Sequence, residues 1–160
     1  MHQTTQTAAH VALLAPVPLE HLLDGRMTAE VEGRVAFGSR KWEIFRKLDK
    51  LRKEMLVDVY IYASHAEGHH DFEVSWHARY IRHVRSDLGS HPDGMRYRPD
   101  STSKYSGDNS GYWAVFWEVE DLQPIPQQQR ISLAEFTGFG KKKAYGHAFP
   151  PEGPLLIEHP

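Results

Sequence analysis

The chain has 160 residues, with 19 Lys and Arg against 21 Asp and Glu, 11 His and no cysteine. That length suits one domain whose core needs no staples, and the missing cysteines exclude disulfide scaffolds, thiolate metal sites and thiol nucleophiles. The formal charge of −2 gives no overall pull toward nucleic acid. No apolar run reaches the roughly 20 residues of a membrane span, and the first residues lack the basic start of a signal peptide, so a cytoplasmic protein with no membrane partner is expected.

Residues 1–9 are polar and read as a flexible tail, leaving 10–160 as a single domain. His10 to Ala15 is a strand-length apolar run ended by Pro16. Pro18 then opens a helix of about two turns, with Leu19, Leu22 and Leu23 on one side and Gly25 as its stop. Val31, Val35 and Phe37 share parity between Thr28 and Gly38, which predicts a second strand. Ser39 is placed to cap the one long helix, Arg40 to Met55. Leu56–Ala63 and Phe72–Val84 are β-branched and aromatic with period-two alternation, and read as strands. Residues 86–111 are dense in Gly, Pro, Ser, Asp and Asn, a connection long enough to suggest function or disorder. Tyr112–Val119 is a strand buried on both faces, Ser132–Glu135 opens a short helix with a capping-box pattern, and Leu155–Ile157 closes the chain. The order predicts an α+β fold with a small, mostly antiparallel sheet or barrel and two or three helices.

The segments VALLAPVPLEHLLDGRMTAEV, WAVFWEVEDLQPIP, ISLAEF and EGPLLI resemble the PUA-like superfamily, in its ASCH and EVE branches. Gly25 and Glu30 fit a Gly-x-Lys-x-x-Glu-x-Arg spacing, while Met27 stands in the Lys position and Glu32 in the Arg position. The resemblance implies a small β-barrel whose cleft receives a nucleotide or base. EVE-like domains are associated with modified bases in nucleic acids. Some ASCH-like proteins hydrolyse an acylated cytidine with a Lys, a Thr and a Glu. Met27 cannot serve as that Lys.

The residues themselves offer two signals for such a site. Between Arg40 and Lys53 seven cations face two carboxylates, and Arg46, Lys50 and Lys53 lie opposite the apolar stripe of Ile44, Phe45, Leu48, Leu51 and Met55. Charge on one helix face suits phosphate contacts, although a solvated surface has the same pattern. Trp42 lies about 120° from the centre of the stripe, off the core face. Trp76 and Trp113 supply flat faces on which a base could stack, although ordinary core packing uses the same residues, and Trp113 shares parity with Trp117. Glu30 or Asp58 could accept hydrogen bonds from a base edge, and Lys141 and Lys142 follow Gly140 in a loop that suits either phosphate contacts or a flexible surface turn.

No cofactor is expected. His65, His69, His70 and Asp71 have no second ligand cluster at a matching spacing, so no metal is expected either. The leading expectation is a nucleic-acid-binding module, for RNA or DNA, that reads a modified or extruded base. The alternatives are a small hydrolase of a modified nucleoside, with Glu30 or Glu118 as general base, and a protein-interaction domain using its aromatic surface.

Overall fold

The computed structural model describes residues 9–65, 72–141 and 152–160. Six strands form one sheet: β1 (Val11–Pro18), β2 (Val35–Ser39), β3 (Asp58–Ser64), β5 (Trp76–Arg85), β6 (Val115–Pro124) and β8 (Leu155–Glu158). Their order is β2-β6-β5-β3-β1-β8. β1 and β3 run parallel, and every other neighbouring pair is antiparallel. Two short strands, β4 (Glu73–Val74) and β7 (Ile131–Ser132), make a separate antiparallel ladder. With α1 (Leu19–Glu32) and α2 (Trp42–Arg52) the fold is α+β with a mixed sheet.

The ladder does not close into the expected barrel. Its two edges are satisfied locally instead. On the outer side of β2, the Ala36 N–H donates to Tyr97 O at 2.7 Å, and the Arg98 guanidinium donates to Ala36 O at 2.7 Å. On the outer side of β8, Phe139 N–H donates to Leu156 O at 3.0 Å and Glu158 N–H to Thr137 O at 2.8 Å. With both rims hydrogen-bonded to loops, neither strand has a free edge with which to reach the other.

The core divides between the two faces of the sheet. Val17, Phe37, Trp76, Tyr80, Trp117 and Val119 pack with Leu22 of α1 and with Phe45 and Leu48 of α2. Across the sheet, Ala12, Leu14 and Ile157 pack with Val74, Leu133 and Phe136.

Several elements differ from the sequence expectation, among them β6, which begins at Val115 rather than Tyr112 and runs on to Pro124. Gly25 does not stop α1 but lies buried within it. A Cβ there would meet Phe37 Cζ and Val35 Cγ2 at 3.3 Å, so the missing side chain lets the helix settle on β2. The stop is Gly33, left-handed at φ +83°, whose N–H donates to Ala29 O at 2.9 Å. Residues 28–32 are consequently helical, and β2 begins only at Val35. Ser132 does accept from Ala134 N–H at 3.2 Å, but the turn that it caps is a single 3₁₀ turn, Leu133–Glu135. The 86–111 connection is a built part of the fold, with a 3₁₀ turn at Asp100–Lys104.

Arg98 ties that connection down. It is 2% exposed, and beside its bond to Ala36 O it donates from Nε to Asn109 Oδ1 at 2.8 Å and from Nη2 to Asp108 O at 3.0 Å. Its guanidinium also lies 4.9 Å from the Phe116 ring centre. Burial pulls its pKa down to about 10, opposed by Asp108, and it stays charged at neutral pH. On the same side of the sheet as Phe116, Glu118 is fully buried and accepts from His91 Nε2 at 2.9 Å, Arg34 Nη1 at 2.9 Å and Arg82 Nε at 3.0 Å. Burial pushes the Glu118 carboxyl up, but the His91, Arg34 and Arg82 bonds outweigh it and bring the pKa to about 2.

Candidate functional site

A cleft of about 620 Å³ opens where the β1–β8 ladder ends. β8 pairs only as far as Leu14, so Pro16 and Pro18 fall where their missing N–H groups leave no ladder bond on that side unmade. Pro16–Pro18 form one wall and Pro154, just before β8, another. Glu20 and His21 enter from the first turn of α1, Phe37 and Gly38 from β2, and Trp117 from β6. His65, just past the end of β3, also lines the cleft, and the remaining side is the 98–113 connection, which contributes Arg98, Thr102, Tyr105, Asp108, Tyr112 and Trp113.

Gly38 sets the position of the Trp113 indole. A Cβ at Gly38 would lie 2.4 Å from Trp113 Cδ1 and Cγ, so the ring rests directly on the glycine backbone. The indole N–H donates to Asp108 Oδ1 at 3.0 Å, and the Tyr112 ring meets the indole edge-on at 4.5 Å between centroids. Trp117 is 1% exposed, with Phe37 tilted against it at 5.0 Å and Phe45 stacked at 6.0 Å. Its Nε1 has no hydrogen-bond partner among the described residues.

The polar lining is largely occupied. Glu20 accepts from Lys104 Nζ and Tyr105 OH, both at 2.6 Å. His21 Nδ1 lies 2.7 Å from Ser101 Oγ, and its Nε2 is 3.6 Å from Asp108 Oδ2. Burial lowers the His21 pKa, with Asp108 acting against it, so the imidazole is neutral at pH 7. Ser101 is 2% exposed and does not line the cleft, so these three residues are not an open nucleophilic triad.

Of the sequence-predicted residues, Trp113 lines the cleft and Trp76 does not. Trp76 is 5% exposed and belongs to the core. Glu30 is on an exposed turn of α1, 3.6 Å from Arg26, and is not a cleft residue. Asp58 is also elsewhere, its two oxygens taken by His77 Nε2 at 2.8 Å and His159 Nε2 at 2.6 Å. Trp42 is 44% exposed on α2. Arg46, Lys50 and Lys53 are exposed and have no ion-pair partner among the described residues, since Asp49 is held by His83 and Arg52. None of them lines the cleft. Lys141 is exposed beyond Gly140, and Lys142, His69, His70 and Asp71 lie outside the described residues.

The structure does carry α2's charge toward the cleft through residues ahead of the helix. The Arg40 guanidinium lies 5.3 Å from the Tyr112 ring centre, and the Lys41 stem lies against Gly153, next to Pro154. Arg40 is exposed. Among the site residues that sequence reasoning missed are His21, Asp108, Tyr105 and Gly38. The density of Gly, Asp and Ser in 86–111 marked the right segment without naming the residues. Neither protein-family models, curated proteins nor solved structures match the chain.

Proposed function

We propose that this chain is a nucleic-acid-binding module of PUA-like kind that seats an unstacked base, modified or not, in the cleft. The observation that carries the reading is the cleft's lining: Phe37, Tyr105, Tyr112, Trp113 and Trp117 around a few polar groups, in a volume usual for small-ligand sites. Trp113 is the stacking residue, with its ring position fixed by Gly38 and Asp108. Stacking on an aromatic ring contributes about 1–3 kcal/mol per base and tolerates any base. Phosphates on either side of that base meet Arg40 and Lys41 at the rim, then Arg46, Lys50 and Lys53 along α2 and Lys141 beyond.

Binding of single-stranded RNA and DNA oligonucleotides, measured over a range of salt, tests this. Affinity should fall steeply with salt, and Trp113→Ala should weaken it by about 1–3 kcal/mol. Salt-independent binding, or full affinity without the indole, would overturn the reading. One observation favours a second reading, hydrolysis of a modified nucleoside: His21 lines the cleft beside Asp108 and, in the tautomer with its hydrogen on Nδ1, would offer Nε2 as general base, the opposite tautomer to the one that a base-edge contact uses. Glu118, held by three donors, and exposed Glu30 cannot fill that role from where they lie. Release of product from an acylated nucleoside, lost in His21→Ala, would establish it.

A further inference from the structure

The hydrogen-bonding capacity left open in the cleft goes beyond saying that a base fits there. Arg98 has donors committed to Ala36 O, Asp108 O and Asn109 Oδ1. Lys104 is held by Glu20, whose second oxygen is taken by Tyr105. Asp108 Oδ1 accepts from Trp113. Asp108 Oδ2 has no hydrogen-bond donor within reach among the described residues; its nearest is His21 Nε2, at 3.6 Å.

The tautomer of His21 follows from its carboxylate neighbour: with Asp108 Oδ2 3.6 Å from Nε2, hydrogen on Nε2 avoids setting a lone pair against the carboxylate. Nδ1 then accepts from the Ser101 hydroxyl at 2.7 Å, in place of that hydroxyl's longer 3.4 Å contact with Glu20 O. A donor, Nε2–H, and an acceptor, Oδ2, therefore stand side by side in the cleft. The buried Trp117 N–H, in another wall, is a second unpartnered donor.

We infer that His21 Nε2–H and Asp108 Oδ2 together read the Watson–Crick edge of the seated base, where a hydrogen-bond acceptor sits beside an N–H donor. This rests on the cleft being a base site and adds which edge it reads. Each of the four ordinary bases offers that acceptor–donor pair, so the edge distinguishes a free base from a paired or edge-blocked one rather than one base from another. The cleft is then selective for single-stranded or extruded nucleotides. A methyl group on the Watson–Crick ring nitrogen takes away the matching group, leaving Asp108 Oδ2 or the His21 N–H unpaired. A methyl group on the opposite edge leaves both contacts intact.

The test is calorimetric titration of the wild-type protein with uridine, cytidine, adenosine and guanosine hexanucleotides. The tightest binder is then compared with the same oligomer methylated on its Watson–Crick ring nitrogen. We expect methylation to weaken binding about tenfold or more, as expected when a buried polar group loses its partner. Asp108→Asn should weaken the unmethylated oligomer to a similar degree while its amide oxygen retains the Trp113 bond. Equal or tighter binding of the methylated oligomer would overturn the inference and leave the base-site reading standing. Failure of all four oligomers to bind would overturn both.

Discussion

Substituting Gly38 with alanine adds one carbon where the structure has no room for it. The added Cβ would lie 2.4 to 2.5 Å from Cδ1, Cγ and Cδ2 of Trp113. Carbon atoms pack comfortably at about 3.5–4.0 Å, so the indole must retreat by more than about 1 Å. That retreat breaks the 3.0 Å bond from its N–H to Asp108. Overpacking of this kind costs about 1–3 kcal/mol and the lost hydrogen bond about 1 kcal/mol. Reduced freedom of the unfolded chain returns at most about 1 kcal/mol. The expected net loss is about 1–3 kcal/mol, which for a chain of this size lowers Tm by about 2–4 °C per kcal/mol. Urea unfolding followed by circular dichroism measures it, in Gly38→Ala, Trp113→Ala and the double variant. With the indole gone, the added methyl group has nothing to strike, so the double variant should be as stable as Trp113→Ala alone, a coupling of at least about 1 kcal/mol. Additive losses in the double variant would refute the argument that Gly38 exists to seat Trp113.

Glu118 predicts an acid limb in stability. Its folded pKa of about 2 lies below the ordinary value of 4.5, so its contribution is complete above pH 4.5 and disappears as pH falls through about 2. Glu118→Gln should flatten urea stability across that window, with a loss of about 3 kcal/mol at neutral pH, and an unchanged acid limb would count against it. Arg98→Met leaves Ala36 O, Asp108 O and Asn109 Oδ1 without their donor and should cost about 3–5 kcal/mol. Its effect should appear as faster proteolysis within 86–113, and a protease pattern like that of the wild type would argue that other contacts hold the segment. Lys50→Ala should change stability by no more than about 0.5 kcal/mol while lowering the salt slope of oligonucleotide binding by about one unit. An unaltered slope would remove the exposed face of α2 from the interface.

The elements most legible in the sequence were those whose side chains alternate or repeat against a core. The stripe of Ile44, Phe45, Leu48 and Leu51 gave α2 to within a few residues. The alternation of Val57, Val59 and Ile61, all three buried, marked β3, although the strand itself begins at Asp58. Gly25 misled because a glycine in a helix has two uses, and a close approach to Phe37 has no local signature. Closure of the sheet was unreadable for a related reason: it depends on Tyr97, Arg98 and Thr137 bonding to strand edges far away in sequence. In the cleft, the shared parity of Trp113 and Trp117 was no guide: both line it, but β6 begins only at Val115, and Trp113 reaches the cleft from the preceding connection, its ring resting on Gly38. Glu30 fitted a motif spacing but sits on an exposed turn. His21 and Asp108 are 87 positions apart and carry no motif, and only the fold brings them within 3.6 Å.

The central claim is that a base enters the cleft beside Trp113 and Trp117. The four indole N–H resonances of the protein test it most directly, since the tryptophans fall in three places: Trp113 and Trp117 in the cleft, Trp76 in the core and Trp42 on α2. Titration with a single-stranded oligonucleotide, followed by NMR on assigned indoles, should shift Trp113 and Trp117 together and saturably while Trp76 stays in place. Movement confined to Trp42, or no movement at Trp113 while the oligonucleotide is bound, would contradict the account.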